Sequence, residues 1–589
     1  MKKLIHISAV LLFCTSQVFS QTGGSGTLAN PYYGTVSTNT DWYPDSFIGG
    51  TIYVLNLTIT SGATLSIRPG PYYGGTVKIL SGYSLTIQSG CSVIINPGTG
   101  LTADEIYNSG TLVLESASNE MAAASLIHDI YDDNGGAGVV QIRHFLRGGQ
   151  TPGGDYRWHY IASPIPNITV STYNTQNLAQ YIESLVTGSD NSIGWVAYDG
   201  YQYSTRTTLG NTFNTLTVGK GYNYYSSADA IVTYTGQINV GSRNSPVTCG
   251  TGYPDYQGYN LIGNPYAACL DWDVNWNLAT PAFVNNAIYF TLNGAVASYV
   301  SGIGSEGGTG TIPPLQGFFV KTNPGAVSVP LRPGARVHNV EQLRYKKKST
   351  AGNSATDTIS FVRLKMRGSN DSTDLVVRFN KNATNAFDAK YDAYEFSKTS
   401  GDINIWTTFA GTDYSINGLP FPETGIEVPV GINLKLNGTF RLLLSEMKKL
   451  ENYSILLKDS YTNQLINLRN GEYAEFTSSP GSITDRYVLV INKSATAVAD
   501  ISSSGRSFAI YSSPGKIINI RMVSDIPVTD KGTLTVYDMT GRKLYQQKNV
   551  DWHGPNDTKM VNMDARTSGL VLVEVLTGNI KVVEKVLLH

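Results

Sequence analysis

Two carboxylates around a tryptophan, Asp271-Trp272-Asp273, are the first residues to weigh for chemistry. Residues two apart on a strand share a face, so both acids would point one way, toward a glycosidic bond for instance. Trp272 and Trp276 would add a platform on which a sugar ring stacks. The same residues also describe a β-turn with its acids outward and its tryptophans buried, and that reading is preferred here. A second group is aromatic. Tyr198, Tyr201 and Tyr203 surround Asp199-Gly200, a strong hairpin signal, and Tyr222, Tyr224 and Tyr225 follow Gly219-Lys220-Gly221. Tyrosine offers rigid amphipathic area at low entropic cost, which makes Tyr201, Tyr203, Tyr222 and Tyr224 candidate contacts for a glycan or a host or matrix protein. Core and cross-strand packing accounts for them equally well.

Other chemistries find no matching pattern. His128, His144, His159, His338, His553 and His589 form no His-Glu-x-x-His and no i, i+4 pair. No Gly-x-Ser-x-Gly elbow is present, and the Gly-x-Gly-x-x-Gly at Gly302 to Gly307 has no βαβ surroundings, so it reads as a loop. Asp129, Asp132, Asp133 and Asn134 lie in a Gly-rich stretch, but their spacing is not that of an EF-hand loop, and a solvated turn is expected. The expectation is a non-enzymatic chain with no catalytic residue, no cofactor and no metal.

The elements that carry these residues are strands. Sixty Gly and 37 Tyr among 589 residues describe short strands and many turns. Charge is sparse at 15%, and Lys+Arg 43 nearly cancels Asp+Glu 44, which removes the basic footprint of a nucleic-acid binder. Residues 1–20 read as a signal peptide: Met1-Lys2-Lys3 is basic, Leu4 to Phe13 is apolar, and Val18-Phe19-Ser20 suits cleavage before Gln21. No apolar run is long enough to span a membrane in the mature chain. Cys14 leaves with the signal, so Cys91, Cys249 and Cys269 remain. An oxidising compartment favours a Cys249–Cys269 bond over two free thiols, closing a loop worth roughly 3 kcal/mol in the chain-entropy model. Cys91 reads as a small core residue.

Periodicity divides the chain into modules. In residues 21–147, Leu57 to Ile67 returns as Leu85 to Ile95, with a shorter echo at Ile106 to Leu114. Each unit is strand, Ser-Gly turn, strand, and such units bury their apolar faces by stacking into a β-solenoid; a flat sandwich is the rival. Residues 148–346 form an aromatic-rich β-sandwich module built on Trp158 to Pro164, Gly219 to Tyr222, Gly258 to Tyr266, Asn286 to Tyr289 and Pro313 to Val320. Within it, Leu178, Tyr181, Ile182, Leu185 and Val186 share a helical face, with Thr175 and Gly188 as caps, so a helix is expected there. A linker over Lys346 to Ser354 leads to a second β module, 357–492, and a Ser- and Ala-rich linker, 493–506, precedes residues 507–589. The fold class expected is mostly β and multidomain: solenoid-like repeats, two sandwich-like modules and a small C-terminal β-sandwich.

The last segment is the most specific. Thr567 to Val575 and Lys581 to Leu588 alternate as two strands around Thr577-Gly578-Asn579, and Leu534 to Asp538 with Met539-Thr540-Gly541-Arg542 form a strand and turn before them. A chain that ends with the hairpin itself suggests an element read by other proteins. These residues resemble the type A C-terminal sorting domain carried by cargo of the Bacteroidetes type IX secretion system. By that resemblance Gly569 opens the strand pair and Lys581 with Lys585 forms its Lys-x-x-x-Lys pattern. The family's Pro- or Ala-Gly-x-Tyr start is here Ser568-Gly569-Leu570-Val571, without the aromatic. The motifs of the middle module likewise resemble large Bacteroidetes surface proteins. The resemblance implies recognition by the type IX machinery, removal of the domain within Ser494 to Arg506, and display on the outer-membrane surface or release. The function expected is adhesion or surface structure, with a carbohydrate-binding or carbohydrate-cleaving role as the alternative.

Overall fold

Stacking of the Ser-Gly repeats organises the first part of the computed structural model. The structure describes residues 22–588 except 47–49, 71–73, 118–122, 151–155, 174–176, 187–193, 203, 251–252, 254–255, 293–294, 339–358, 370, 397–401, 494–507, 514, 523–530, 554–556, 565–566, 568 and 578–579. The signal peptide, the whole Lys346 to Ser354 linker, the hinge before the last domain and Tyr203 therefore lie outside the described residues. The chain divides into two units, Met1–Ser494 and Ala495–His589.

Each repeat gives one strand to each of two sheets. Thr51–Ile59, Ser84–Ile87, Gly100–Asn108 and Ser125–Asp132 belong to one sheet; Thr64–Ile67, Ser92–Ile95, Thr111–Leu114 and Val139–Leu146 belong to the other. Pairing within both stacks is parallel and in repeat register: Leu57 sits on Leu85, Leu85 on Ile106, Leu65 on Val93, and Val93 on Leu112. These side chains are buried, so every coil supplies half of its neighbour's core at roughly 1.5–3 kcal/mol per fully buried aliphatic residue. The turns need left-handed backbone at Gly62 (φ 73°), Gly82 (φ 83°) and Gly90 (φ 77°), which explains the glycine of those three Ser-Gly pairs. The parallel ladder is a β-solenoid and removes the flat sandwich. Ala230–Gly236 then adds antiparallel to Val139–Leu146, so a strand from later in the chain closes that sheet.

Leu178 to Val186 is not the expected helix. Leu178–Tyr181 is a strand between Tyr222–Tyr225 and Trp195–Ala197, and Glu183–Leu185 is a single 3₁₀ turn. All four strand residues are buried, and the strand feeds two hydrophobic clusters: Leu178 packs with Tyr222 and Tyr224, and Tyr181 packs with Tyr259 and Phe319. A helix would have turned Ala179 and Gln180 outward; tertiary pairing overrode the 3.6-residue pattern.

Cys249 and Cys269 carry no disulfide in the structure, which corrects the expected bond. Their segments are held by different partners. Gly250 N–H donates to the Glu183 carboxylate at 2.9 and 3.0 Å, and Thr248 Oγ1 donates to it at 3.1 Å. Cys269 is buried at the start of Cys269–Asp271, which pairs with Arg336–Val337 and Thr311–Ile312.

Residues 360–493 form a long curled sheet, whose strand order begins Gln464–Asn467, Tyr453–Asp459, Gly481–Lys493 and ends Ser360–Arg367, Gly438–Lys448, Tyr473–Ser478. One face encloses a core that includes Val362, Leu364, Ile405, Val430, Ile455 and Leu489. Phe361, Val376 and Ile416 instead pack with Tyr259, Tyr289 and Phe319 of the preceding module, so one hydrophobic cluster spans the two. The unit Ala495–His589 is a small two-sheet fold. Phe508–Ser513, Ile517–Met522 and Thr558–Asn562 make one sheet; Lys543–Val550, Gly532–Asp538, Gly569–Thr577 and Ile580–Leu588 make the other. Phe508, Trp552, Val536 and Val573 fill the space between them.

Candidate functional site

The terminal hairpin is built by alternation. On Gly569–Thr577, Val571, Val573 and Val575 point into the core, which leaves Leu570, Leu572, Glu574 and Leu576 on the other face. Opposite them stand Leu587, Lys585, Val583 and Lys581 in that order. Leu570, Leu576, Val583 and Leu587 are exposed, so the outer face is an apolar ladder carrying two lysines. Lys581 Nζ reaches Glu574 Oε2 at 2.8 Å, which raises the lysine's pKa, while Lys585 lies beside Leu572. Gly569 has φ 91° with no atom near a built Cβ, so glycine is needed there for backbone conformation alone. Ile580–Leu588 is the edge of its sheet, and the Leu587 carbonyl accepts from Ser512 Oγ at 2.7 Å.

The turn before the hairpin is tied by one side chain. Asp538 accepts from Thr540 Oγ1 at 2.6 Å, Thr540 N at 3.0 Å, Arg542 N at 2.9 Å and Arg542 Nε at 3.0 Å. Those donors, the Thr540 hydroxyl first, hold the carboxyl near a pKa of about 2. Gly541 (φ 85°) completes the turn, which folds Lys543–Val550 back antiparallel on Gly532–Asp538, the strand that pairs with Gly569–Thr577 on its other edge.

Residues 509–589 match the family described as the secretion system C-terminal sorting domain. They carry the signal for export. A second match, residues 274–491, is to a domain of unknown function, DUF8693. It runs across the Lys346 to Ser354 segment, as the shared core does. No curated protein matches the chain. Among solved structures, a β-glucuronidase of Parabacteroides merdae is 14% identical over 26% of this chain and 28% of its own, with a TM-score of 0.10. A group B Streptococcus pullulanase is 13% identical over 25% of this chain and 21% of its own, with a TM-score of 0.11. The adhesin domain of Epf from Streptococcus pyogenes is 11% identical over 38% of this chain and 91% of its own, also with a TM-score of 0.11. The chain thus spans about a quarter of either enzyme's length, and at these scores none of the likenesses bears on function. The sorting domain directs the protein to the cell surface or extracellular space through the type IX machinery. Among the described residues no helix is long and apolar enough to cross a membrane.

The other candidate residues fall elsewhere, in Met1–Ser494. Tyr222 and Tyr224 are 1% and 3% exposed, so their rings belong to the core. Thr217 N donates to Tyr222 Oη at 2.8 Å, and Tyr224 meets Tyr173 edge-on with centroids 4.9 Å apart. Tyr201 is half-buried on the short strand after the Asp199-Gly200 turn, in the same sheet but with two strands between it and Tyr222–Tyr225. Tyr201, Tyr222 and Tyr224 therefore do not share one exposed surface.

Asp271 and Asp273 also part company. Asp271 caps the helix Trp272–Ala279, accepting from Val274 N at 3.0 Å, where a β-turn was expected. Asp273 accepts from the Tyr299 hydroxyl, and burial raises its pKa. Trp272 is fully buried and donates its Nε1–H to the Asn286 carbonyl at 2.7 Å. The acids of the Gly-rich stretch are likewise occupied. Asp132 and Asp133 accept from Asn134 N (2.8 Å) and Gly136 N (3.0 Å), and Asp129 pairs with Arg336 at 2.7 Å.

The repeated motifs of the middle module meet in one packing node. Gly221 N donates to Leu261 O at 3.0 Å, Gly263 N to Gly219 O at 2.8 Å, and Ala162 N to Leu315 O at 2.8 Å. Asn264, fully buried, donates through Nδ2 to the carbonyls of Ala268 and Pro313 at 2.9 Å. A Cβ on Gly263 would lie 2.3 Å from that of Ala162. These motifs are spent on chain crossings rather than on a ligand.

Proposed function

We propose that this is a non-enzymatic protein of a Bacteroidetes cell surface, exported as type IX cargo, whose Met1–Ser494 unit serves in adhesion or surface structure. The observation that carries the reading is the sorting domain at 509–589, with its Gly569, Lys581 and Lys585 on one exposed hairpin. Support for the second half comes from the solenoid, whose coils stack in parallel register, and from middle-module motifs occupied with packing. Exposed Leu570, Leu576, Val583 and Leu587 beside two lysines suit a protein partner better than water, as an edge hairpin awaiting the export machinery would require. The test is deletion of Leu570 to His589 in the native host. Surface protease should no longer reach the protein, which should accumulate folded in the periplasm. Normal surface appearance of the truncated chain would overturn the export reading.

A further inference from the structure

The curled sheet of residues 360–493 does not close on itself. Its two terminal strands, Gln464–Asn467 and Tyr473–Ser478, belong to opposite ends of the strand order and are not hydrogen-bonded to each other. At this seam lies a cleft of about 370 Å³, within the range of small-ligand sites. One wall carries Asp459, Thr462 and Gln464, the other Glu472, Tyr473 and Glu475, and Arg486 also lines it.

The lining has a definite chemistry. Arg486 is fixed by a forked ion pair to Asp459, Nε–Oδ1 3.0 Å and Nη2–Oδ2 2.8 Å, and its guanidinium lies 4.8–5.3 Å from the ring centroids of Tyr487, Phe476 and Tyr461. Glu475 Oε2 accepts from Arg441 Nε at 2.5 Å and Glu472 Oε2 accepts from Asn467 N at 2.9 Å. Each keeps its second oxygen without a partner among the described residues. Tyr473 is 46% exposed; Arg441 covers its ring from outside the cleft with its guanidinium carbon 4.9 Å from the centroid. Tyr461, 64% exposed, stands beside the rim and is held by Asp485 at 2.9 Å.

This combination recognises a polyhydroxylated ring. Oriented carboxylates accept from hydroxyls, the Gln464 amide and Arg486 donate to them, and an exposed aromatic face meets the C–H face of a sugar. Asp459 is offset by Arg486 and Glu475 by Arg441, which leaves Glu472 as an excess negative charge and disfavours phosphate, sulfate and uronate ligands. Ile466 and Ala474 are too small an apolar surface for a lipid chain.

We propose that the seam cleft between Gln464–Asn467 and Tyr473–Ser478 is a binding site for a neutral saccharide. It deepens the adhesive reading and rests on it for its biological setting, but purified protein tests it without reference to export. Mature full-length protein would be titrated calorimetrically and by saturation-transfer NMR with neutral trisaccharides of glucose, xylose, mannose and N-acetylglucosamine, and with oligo-lysine. At least one trisaccharide should bind saturably, and Tyr473→Ala should weaken it by at least about tenfold. Gln464→Ala, an exposed change that leaves the Arg486–Asp459 pair intact, should also weaken it. Tyr83→Ala, an exposed tyrosine of the solenoid, should bind as wild type. Binding by none of the sugars, or binding indifferent to both cleft variants, overturns the proposal. Oligo-lysine binding lost in Tyr473→Ala, without sugar binding, would overturn it in favour of a cationic peptide. Failure here leaves the export test untouched, and failure of that test leaves this one standing.

Discussion

Acidification should loosen the place where Arg336–Val337 and His338 dock on the solenoid. His338 spans two strands of one sheet, with Nδ1 2.8 Å from Ser125 Oγ and Nε2 2.8 Å from Thr102 Oγ1. His128 is buried on Ser125–Asp132 with neither ring nitrogen hydrogen-bonded, and its carbonyl accepts from Arg336. Burial, with the Arg336 charge second, pushes His338 down to about 4 and His128 down to about 3. Both are therefore neutral in the folded protein at pH 5, whereas the unfolded chain protonates them below about 6.5. Stability is full above the unfolded pKa and falls as pH drops from there toward the folded values. From pH 7 to pH 5 the loss is about 2 kcal/mol for each histidine, a factor of about 30 in local opening.

Asp392 acts in the opposite sense. Desolvation pushes its carboxyl up to about 7, so the folded state takes up a proton first and gains stability on acidification. Global melting would mix the two effects, and a chain of this size does not unfold in one step. Hydrogen exchange read on Gly100–Asn108 and Ser125–Asp132 separates them. After correction for intrinsic exchange, wild-type protection there should fall more steeply between pH 7 and pH 5 than in His128→Leu, by a factor of about 30. His128→Leu should also be no less protected at pH 7, since it removes two unpaired buried nitrogens. Identical pH dependence in the two proteins would refute the burial argument.

Gly100→Ala should destabilise the same junction by about 1–3 kcal/mol, because the added Cβ would lie 2.6 Å from His338 Nδ1 and that ring is held from both ends; a urea-gradient exchange measurement on these strands reads the loss. Titration of the mature protein with a thiol reagent in denaturant, without reductant, should count free thiols at Cys91, Cys249 and Cys269, and a count of one would restore the Cys249–Cys269 bond.

The local patterns that proved legible are those whose physics is local. The Ser61-Gly62 and Gly90 turns needed left-handed backbone, and the alternation of Leu57, Ile59, Leu65 and Ile67 needed one buried face, so coils and their stacking followed from the repeat. The same holds for the terminal hairpin, where Val571, Val573 and Val575 alternate with the residues that carry Lys581 and Lys585 across the strand pair. Tyr222 and Tyr224 were harder, because an amphipathic ring reads alike on a surface and in a core until its neighbours are known. Leu178–Tyr181 was misread for a related reason: a short apolar run fits either period, and two sheet neighbours far away in the sequence chose the strand. The bond between Cys249 and Cys269 failed because spacing says nothing of which strand each thiol is tied to.

The seam cleft left only a faint trace, the alternation of Tyr473 and Glu475 on one face of an edge strand. Its other wall begins at Gln464, on the strand just before Tyr473–Ser478 in the chain, but no periodicity could reveal that these consecutive strands pair into opposite ends of one long sheet and leave a cleft between them. Composition, turn chemistry and alternation thus determined that the chain is mostly β, repetitive near its start and tagged for export by residues 509–589. Which polar and aromatic side chains share a surface was decided by tertiary structure alone, because strand order and sheet curvature are set by contacts between residues far apart in the chain.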